Sequence, residues 1–476
     1  MSLVILINPN QMKPAVAPLA LDYLGSALQR AGHEVEVVDL CWSANPLAEI
    51  RHRLEGERVA AVGFTIRNTD DTYFASQDYF LPKYRAMIEA VKSSTPAPLV
   101  LGGAGFSVMP EAVLNACGAD LGIWGEGETA FVNLVEKLAR DESIYDVPGL
   151  VYRQGGVFRR NRPAFMDLPN VPIPERNLVA NPRYLSEGGQ GNIETKRGCN
   201  KGCTYCADPV SKGRTIRLRT PVSVAGEIEH LLSQGVDCLH FCDSEFNIPD
   251  FHARAVCEEI CRRRLGERVR WYAYASPVPF DDNLAGLMRR AGCAGINFGA
   301  DSGCDRILQR LGREFSARDL VSTAETCRRH GLVFMYDLLL GGPGETRETL
   351  RETIDLMRRI SPDCVGAAVG LRVYPGTPFS RWLLQQGPVA TNRNIQGVIE
   401  NNDSFVAPIY FVSVELGEHP LANVAGLIGD DDRFFVGSRE EEGQNYNYND
   451  NSLLVSAIKG GHRGAYWDIL RNIRDI

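Results

Sequence analysis

Three cysteines lie close together in the stretch ETKRGCNKGCTYCADP, residues 194–209. Cys199, Cys203 and Cys206 have the spacing C-x3-C-x2-C, with lysines, an arginine and glycines around them. Three thiolates are one ligand short of a structural zinc site, whereas an iron–sulfur cluster can use three and leave one iron open. The spacing therefore favours a cluster, while a zinc knuckle and three incidental core thiols stay open as alternatives.

The composition indicates what kind of protein carries this site. A chain of 476 residues with 44% apolar content suits two or three domains with large cores. The formal net charge is -8 and the chain has no long basic run, which argues against a nucleic-acid partner. No stretch reaches the roughly 20 apolar residues of a membrane span, and MSLVILINPN has no leader-like pattern. Most of the thirteen cysteines stand singly in apolar segments, which predicts reduced thiols. We expect a cytoplasmic protein without membrane contacts.

The cysteine loop must be positioned by strands and helices. The alternation of strand-like and helix-like segments is most regular in the first 150 residues. Short apolar runs such as LVILI (3–7) and VAAVGF (59–64) alternate with segments of helical period. This predicts an α/β fold with a doubly wound, Rossmann-like parallel sheet, whose ligands lie beyond the carboxyl ends of the strands. The candidate contacts at those ends are Asn8, Arg67, Asn68, Gly102, Gly103, Gly105 and Glu126. The glycines permit close approach of a ligand, although plain turn chemistry explains them as well.

The cysteine spacing, in a loop after a predicted strand, resembles that of the radical SAM superfamily. The resemblance implies that Cys199, Cys203 and Cys206 hold a 4Fe-4S cluster whose open iron chelates S-adenosylmethionine. Reduction of that cluster would cleave the sulfonium and give a 5'-deoxyadenosyl radical. Tyr205 stands where the family commonly has an aromatic residue before the last cysteine.

Five later segments resemble the superfamily in the same order, so the resemblance covers residues from about 190 to 380. It implies a partial (β/α)6 TIM-type barrel with the cofactors at the carboxyl ends of the strands. The segments are CLHFCDSEFN for the second strand, VRWYAYASP for the third, GINFGADSG for the fourth, VFMYDLLLGGPGET for the fifth and LRVYPGTPF for the sixth. The residues implied to contact S-adenosylmethionine are Asp243, Ser244, Glu245, Asp301, Ser302, Gly341, Gly342 and Pro343. Asp301 stands in place of the family's usual glutamate.

A doubly wound domain ahead of such a barrel, joined by DLPNVPIPERNL (167–178), is similar to the cobalamin-binding branch of the superfamily. That branch includes methylases of unactivated centres and an anaerobic ring-forming cyclase, so the strand-end loops of the first domain are implied to hold cobalamin. The loop NPNQMKPAV after the first strand lacks the D-x-H-x-x-G that gives cobalt a histidine in domains of the methionine synthase type. We therefore expect cobalamin without a histidine ligand and with Arg67 under the corrin. A first domain that holds no cofactor is the alternative.

The predicted organisation has four parts. Residues 1–150 form the cobalamin-binding-like domain, 151–188 a linker, 189–382 the barrel, and 383–476 a small α+β segment that shapes the substrate pocket. In the last part, residues 404–417 are predicted as a strand pair and residues 461–473 as an amphipathic helix. Tyr446, Tyr448, Asn449 and Asp450 are candidate pocket residues, although a solvated loop is the commoner role of such a stretch.

The resemblance implies an enzyme that methylates a carbon centre of a small metabolite or natural-product precursor. The deoxyadenosyl radical would activate the acceptor and methylcobalamin would donate the methyl group, while a polar acceptor carbon needs no radical. A flavodoxin or ferredoxin is the expected electron donor. Two alternatives stay open, a cobalamin-dependent cyclase or rearrangement enzyme and a simple electron carrier, and the adenosine-binding motifs argue against the second.

Overall fold

The computed structural model describes residues 2–437 and 448–474. Its first sheet begins with a strand whose side chains alternate between two cores. Val4 and Leu6 pack on one face of the sheet, and Ile5 and Ile7 pack on the other. A strand that is apolar on both faces needs helices on both sides, which is the arrangement found here.

The first sheet has the strand order β2-β1-β3-β4-β5-β6-β7, with β1 to β5 parallel, so the predicted doubly wound domain is confirmed. Its elements are β1 (Leu3–Asn8), α1 (Leu19–Arg30), β2 (Glu34–Asp39), α2 (Pro46–Leu54), β3 (Val59–Thr65), α3 (Leu81–Ser94), β4 (Leu99–Gly102), α4 (Ala104–Val108), α5 (Pro110–Cys117), β5 (Leu121–Ile123), α6 (Gly127–Ala139), β6 (Leu150–Gln154) and β7 (Val157–Arg160).

The sheet continues past residue 150, where the sequence analysis placed the start of the linker. Strands β6 and β7 form an antiparallel hairpin on its edge, and β6 pairs with β5. Gly155 and Gly156 make the two-residue turn, and both have positive φ angles. A Gly-Gly pair between two alternating runs is a hairpin signal, so these ten residues belong to the first domain.

The second sheet is a partial barrel with the strand order β19-β15-β14-β13-β12-β11-β8, and all of these strands are parallel. Its elements, with those that connect them, are α7 (Asn181–Gly188), β8 (Gly191–Ile193), β9 (Lys196–Arg197), α8 (Asp208–Ser211), β10 (Arg217–Leu218), α9 (Pro221–Ser233), β11 (Cys238–Phe241), α10 (Asp250–Arg262), β12 (Arg270–Ala275), α11 (Asp282–Arg290), β13 (Cys293–Asp301), α12 (Asp305–Leu311), α13 (Ala317–Arg329), β14 (Val333–Leu340), α14 (Arg347–Ile360) and β15 (Cys364–Val369).

The carboxyl-terminal segment contributes to the barrel and does not form a separate unit. Its elements are β16 (Leu371–Arg372), α15 (Pro378–Gln385), β17 (Ile395–Gly397), β18 (Ile409–Phe411), α16 (Pro420–Ile428), β19 (Phe434–Val436), α17 (Ser452–Lys459) and α18 (Tyr466–Arg474). Strand β19 pairs in parallel with β15 as a seventh barrel strand. Helix α18 packs in the barrel core, and Tyr272 donates a hydrogen bond of 2.7 Å to its Asp468.

Two sequence assignments in this region are wrong. The sixth barrel strand is CVGAAV (β15), whereas LRVYPGTPF supplies β16 of a small antiparallel sheet with β17 and β18. Gly370, with a φ of +86°, interrupts the extended backbone between β15 and β16. Residues 404–417 hold one strand, β18, and not a pair. None of the described helices combines the length and the apolar character of a membrane span.

The two domains share a buried ionic network. Arg176, which is fully buried, donates to Asp22 of α1 at 2.9 Å, to Glu227 of α9 at 2.7 Å and to the Asn192 carbonyl of β8 at 2.9 Å. Burial opposes the charge, but Glu227 and Asp22 raise the pKa of Arg176 above the ordinary arginine value. Because its partners lie on the first domain and on the barrel, Arg176 fixes the orientation of one against the other.

Candidate active site

The cysteine loop lies between β9 and α8, and backbone hydrogen bonds hold it on several sides. The Cys199 amide donates to the Gly213 carbonyl at 3.1 Å. The Thr204 amide donates to Leu311 at the end of α12 at 2.9 Å, and the Thr204 carbonyl accepts from Phe379 at 2.9 Å. The loop is therefore attached to the fourth βα unit and to α15, so its thiols have a defined position at the barrel mouth.

The three thiols line one cavity of about 290 Å³ at the carboxyl ends of the barrel strands. The sequence-predicted residues that share it are Cys199, Cys203, Tyr205, Cys206, Ser244, Glu245 and Asp301. Sequence reasoning missed the other residues that line it, which are Lys201, Asp208, Gly299, Arg313, Asp337, Leu338, Leu339 and Ala368. The cavity therefore brings together the cysteine loop and the ends of the second, fourth, fifth and sixth barrel strands.

Arg313 is the central charge of this cavity. Its guanidinium donates to Cys203 Sγ at 2.9 Å, and its Nε lies 3.4 Å from the Asp301 carboxylate. Tyr205 donates to the same carboxylate at 2.6 Å, and Glu245 lies 3.6 Å from the guanidinium. Asp301 holds this position with a φ of +59°, an uncommon backbone conformation for a residue other than glycine. The network orients polar groups around the cysteines.

Burial controls the protonation of the cysteines before any metal is bound. It raises the pKa of Cys203 to about 11, against the opposing charge of Arg313, and that of Cys206 to about 12. Binding of iron must therefore release these protons. Among the described residues, no three histidine, cysteine or acidic side chains are grouped to hold a single metal ion, whereas the three thiols share one cavity. Thiols spread over one cavity suit a multi-iron cluster better than a zinc knuckle.

Two residues predicted to contact S-adenosylmethionine form hydrogen bonds within the scaffold. The Asp243 carboxylate accepts from the Thr195 amide at 2.8 Å, the Thr195 hydroxyl at 2.6 Å and the Lys196 ammonium at 3.2 Å. Ser302 is fully buried and lies 3.0 Å from the Thr353 hydroxyl. Both predictions selected polar residues at the correct strand ends, but neighbouring protein groups already use their hydrogen-bonding capacity.

The turn GGPG after the fifth strand, which includes Gly341, Gly342 and Pro343, lies next to the cavity and is not among the residues that line it. The Gly341 carbonyl accepts from the Ser413 amide at 2.8 Å. A side chain on Gly341 or Gly342 would come within 3.2 to 3.3 Å of a neighbouring leucine. Close packing against β16 and the loop after β18 therefore accounts for these glycines.

Two predicted cofactor contacts of the first domain are also engaged within the protein. Asn8 donates to Asp39 at 2.8 Å and to Tyr184 at 3.1 Å, and it is almost fully buried. Glu126 accepts from the Met166 amide at 2.6 Å and forms an ion pair with Arg217. These side chains attach the first domain to the linker and to the barrel.

The glycines after β4 divide into two kinds. A Cβ on Gly103, which has a φ of +104°, would come within 2.6 Å of the Ile66 carbonyl, and one on Gly105 within 2.9 Å of the Arg67 carbonyl. A Cβ on Gly102 would meet nothing closer than the Ile123 carbonyl at 3.7 Å. The protein itself thus requires glycine at 103 and 105, whereas position 102 has room for a side-chain carbon at ordinary contact distance.

Arg67 and Asn68 follow β3 and face the space between the domains. Arg67 is exposed, and its charge opposes the rise in pKa that burial imposes on Cys242 and Tyr274 of the barrel. Tyr274 keeps 45% of its surface accessible although desolvation raises its pKa to about 12. Arg67 of the first domain therefore lies close to side chains that belong to the barrel interior.

We call this interior space the barrel chamber, and it lies one layer below the cysteine cavity. The strand register places Tyr274 beside Asn297, and Gly299 beside Asp337. Because Asn297 and Gly299 are two residues apart on β13, all four residues lie on the same face of the sheet. Since Gly299 and Asp337 line the cavity, that side is the barrel interior. The chamber residues are His240, Tyr274, Asn297, Asp337, Tyr448 and Tyr466.

Three of the four carboxyl-terminal candidates lie near the chamber or the first domain. Tyr448 contacts Tyr466, with ring centroids 5.4 Å apart. Asn449 donates to Asp78 at 3.2 Å, and the Asp450 amide donates to Lys13 at 2.6 Å, so this stretch connects barrel and first domain. Tyr446 lies outside the described residues.

His240 should make the stability of the protein fall in acid. Burial lowers its pKa to about 4, so the folded state favours the neutral ring, and stability is lost as the pH falls from about 6.5 towards 4. We expect the free energy of unfolding to drop by about 2 to 3 kcal/mol more between pH 7 and 4.5 in wild type than in His240→Gln. Urea unfolding at the two pH values measures the difference. His52→Gln on exposed α2 should keep the wild-type pH dependence.

Comparison with known proteins agrees with this arrangement. Residues 10–135 match the B12 binding domain, and residues 193–357 match the radical SAM superfamily. The tryptophan 2-C-methyltransferase of Streptomyces laurentii is 31% identical over 98% of this chain and 95% of its own length. These matches cover both domains in the order that the fold shows.

Two solved structures of the radical S-adenosylmethionine methyltransferase TsrM from Kitasatospora setae superpose on the whole chain. One holds tryptophan and a SAM analogue, shares 30% identity, covers 100% of this chain and 98% of its own, and has a TM-score of 0.94. The other holds cobalamin and a [4Fe-4S] cluster, at 29% identity, the same coverage and a TM-score of 0.91.

Proposed function

Because the chain belongs to the cobalamin-binding radical SAM methyltransferases, whose cofactors are a 4Fe-4S cluster, S-adenosylmethionine and cobalamin, we propose that it methylates carbon 2 of tryptophan or a close indole relative. The observation that carries the proposal is the cysteine cavity, which reaches Asp337 in the barrel interior, together with Arg67 of the first domain close to Tyr274 of the same interior. A substrate in the chamber would lie between the two cofactor sites.

The cluster would be held by Cys199, Cys203 and Cys206, and S-adenosylmethionine would enter the same cavity. When bound, the cluster and cobalamin supply S-adenosylmethionine activation and methyl transfer. Arg313 carries a charge that suits a carboxylate, and Glu245 carries one that suits an ammonium group. Burial raises the pKa of Glu245 to about 7, so near neutral pH the protonated and ionised forms of its carboxyl group are both populated. These side chains bind and orient the methionine part.

Cobalamin would occupy the gap between the domains, above the carboxyl end of the first sheet. Arg67 is exposed there, and Gly102 has no side chain to keep a large planar ring away from the backbone. None of the described loop residues after β1 is a histidine, so we keep the expectation of cobalamin without a histidine ligand and with Arg67 under the corrin. Helix α4 contacts α8 of the cysteine loop, which links the two cofactor sites.

A pair of glycine variants separates cofactor binding from folding. Gly102→Ala places a methyl group at ordinary contact distance, 3.7 Å, from the Ile123 carbonyl, so we expect near wild-type stability but an at least roughly tenfold weaker affinity for cobalamin. Gly103→Ala forces alanine into positive φ against a carbonyl and should cost about 1 to 3 kcal/mol of stability. Urea unfolding and cobalamin titration measure the two effects. Unchanged cobalamin affinity in Gly102→Ala would move the corrin away from this strand end.

The proposed reaction is tested with the anaerobically purified protein, with its cluster reconstituted and cobalamin supplied. Incubation with S-adenosylmethionine and L-tryptophan should give 2-methyltryptophan and one S-adenosylhomocysteine per product. A ring-forming or rearrangement activity would give product without S-adenosylhomocysteine in step. Absence of both products with tryptophan, while the corrin is still methylated by S-adenosylmethionine, would reject tryptophan and leave methyl transfer standing.

Two further expectations concern the electron donor and the cellular compartment. A flavodoxin or ferredoxin would supply the electrons that restore reduced cobalamin. The compartment would be the cytoplasm, because the reaction needs a reducing environment, and none of the thirteen cysteines, all of which lie in the described residues, forms a disulfide.

A further inference from the structure

Arg313 donates a hydrogen bond to one of the three sulfurs that would hold the cluster. Its Nη1 lies 2.9 Å from Cys203 Sγ. The other sulfurs have different neighbours. Burial raises the pKa of both Cys203 and Cys206, but beyond burial the pKa of Cys203 responds most to Arg313, whereas that of Cys206 responds most to the Asp208 carboxylate. The cationic donor therefore acts on the second cysteine of the motif.

The contact follows from backbone that joins the cysteine loop to the end of α12. The Thr204 amide donates to the Leu311 carbonyl at 2.9 Å. At the next position a Cβ on Gly312, which has a φ of +75°, would come within 2.4 Å of the Gly202 carbonyl. These two contacts bring Arg313 and the second cysteine side by side. Both are made by the polypeptide alone, so the neighbourhood does not need a metal to form.

Groups outside the cysteine loop fix the guanidinium. Its Nη2 donates to the Gly299 carbonyl of β13 at 2.5 Å, and its Nε lies 3.4 Å from the Asp301 carboxylate. The Phe315 ring packs on it, with 4.8 Å between Cζ and the ring centroid. The Arg313 side chain is only 6% exposed. We therefore expect the N–H group to keep its direction when the sulfur exchanges its proton for iron.

An N–H group that points at a cluster sulfur stabilises the reduced form of the cluster. Reduction adds one electron, and hence one negative charge, to the irons and their thiolates. A positively charged donor at a thiolate sulfur lowers the energy of that added charge, and burial strengthens the interaction. Hydrogen bonds to the sulfurs are among the factors that set the reduction potential of iron–sulfur clusters. The potential therefore rises, and the reduced cluster becomes a weaker reductant.

We propose that Arg313 acts through Cys203 to raise the reduction potential of the 4Fe-4S cluster. A guanidinium has further N–H groups besides the two that face Cys203 and Gly299, so the carboxylate of S-adenosylmethionine can share the same side chain. A weaker reductant suits methyl transfer to a carbon that needs no radical. The inference rests on the proposed function only in the assignment of the three cysteines to the cluster, and it does not depend on the substrate.

The first test is the reduction potential of the cluster, measured by an anaerobic redox titration followed by EPR. The full chain is used with its cluster reconstituted and without corrin, whose own EPR signal would overlap. Arg313→Met keeps an unbranched side chain but removes the charge and the donor. We expect its one-electron reduction to be at least roughly tenfold less favourable, a shift of about 59 mV to lower potential. Iron and sulfide per chain show that the cluster is retained.

Lys201→Gln is the matched control for charge. Lys201 also lines the cavity, but its ammonium group pairs with Glu314 at 2.7 Å. The variant changes the net charge by the same amount as Arg313→Met. Because the Glu314 side chain of this pair is 61% exposed, we expect less than about a threefold change in the reduction equilibrium. An equal shift in the two variants would attribute the effect to net charge and overturn the role of the hydrogen bond.

A second readout needs no variant. Arg313 is the one arginine among the described residues that line the cavity. Arginine labelled with ¹⁵N in its guanidinium group should therefore give a ¹⁵N coupling in the pulsed EPR spectrum of the reduced wild-type cluster. Absence of that coupling overturns the proposal, also where Arg313→Met retains no iron.

The outcomes separate this inference from the proposed reaction. An unchanged potential in Arg313→Met overturns the inference, while 2-methyltryptophan formed by wild type leaves the proposed reaction in place. The expected fall in potential, without 2-methyltryptophan from wild type, supports the role of Arg313 and rejects tryptophan as the substrate. A wild-type chain that holds no 4Fe-4S cluster after reconstitution overturns both.

Discussion

Cys203→Ser is expected to abolish the cluster and to reduce methyl transfer by more than about a hundredfold, since changes outside the ligand shell already cost that much in many metal sites. Serine keeps the size of the side chain but removes the soft thiolate that iron prefers. The substitution also removes the sulfur to which Arg313 donates at 2.9 Å. Iron and acid-labile sulfide per chain, measured together with S-adenosylhomocysteine formation, report the two losses.

Cys242→Ser is the matched control for this experiment. Cys242 follows β11 at the same end of the barrel, but it does not line the cavity. Its variant should bind the same amount of iron and sulfide as wild type. Full iron and sulfide content in Cys203→Ser, or an equal loss in Cys242→Ser, would contradict the assignment of the cluster ligands.

Arg176→Met is expected to cost about 3 to 5 kcal/mol of stability, because it leaves the buried Asp22 carboxylate without its cation and removes one of the two arginines that pair with Glu227, the other being Arg219. The side chains of Arg176, Asp22 and Glu227 are at most 1% exposed. Arg176→Lys should recover little, since one ammonium group does not reproduce the several fixed directions of a guanidinium. The midpoint of urea unfolding measures the loss. Cobalamin affinity should fall as well, because the gap between the domains depends on their orientation.

Arg183→Met provides the comparison on the surface. Arg183 pairs with Glu187 one turn away on α7, and its side chain is 51% exposed. Such a pair contributes about 0.3 to 0.5 kcal/mol, so the unfolding midpoint should hardly move. An equally small effect of Arg176→Met would mean that the network tolerates the loss of its central charge.

The sequence was sufficient for the parts of the fold that follow from local pattern. Apolar runs located β1 to β5, and the cysteine spacing located the cavity, because both depend on residues near one another in the chain. Strand β19 could not be found in this way. It is three residues long and pairs with β15 about seventy residues earlier, so only the tertiary structure assigns it to the barrel.

The same limit applies to the site residues, because the sequence does not show which of their polar groups are already hydrogen-bonded. Sequence pattern places Asp243, Ser244 and Glu245 together after β11, but it does not show that Thr195 and Lys196 already occupy the Asp243 carboxylate. Which polar group stays available to a ligand depends on partners that arrive from other elements. A polar residue at a strand end is therefore a weaker prediction than a fixed spacing of ligands.

Arg313 and Asn297 illustrate what was missed and what signal existed. Arg313 is the last residue of the segment GINFGADSGCDRILQRLGR and lies twelve residues after Asp301. A cation at this distance from an acid at a strand end was visible in the sequence. Asn297 lies inside a buried strand, where an amide among apolar residues is uncommon and needs partners. A polar residue in the middle of a barrel strand was thus the available signal for the chamber.

The seventh strand and helix α18 also determine when the barrel becomes complete during synthesis. Until residues 434–436 have left the ribosome, the edge of β15 that pairs with β19 has no partner strand, and until Trp467 arrives, the contact that it makes beside Gly295 is missing. The cysteine loop, at residues 199–206, is made long before either event. A nascent chain therefore carries its thiols on an open barrel for more than 200 residues of elongation, an interval in which an exposed strand edge invites aggregation and the thiols are accessible to iron delivery.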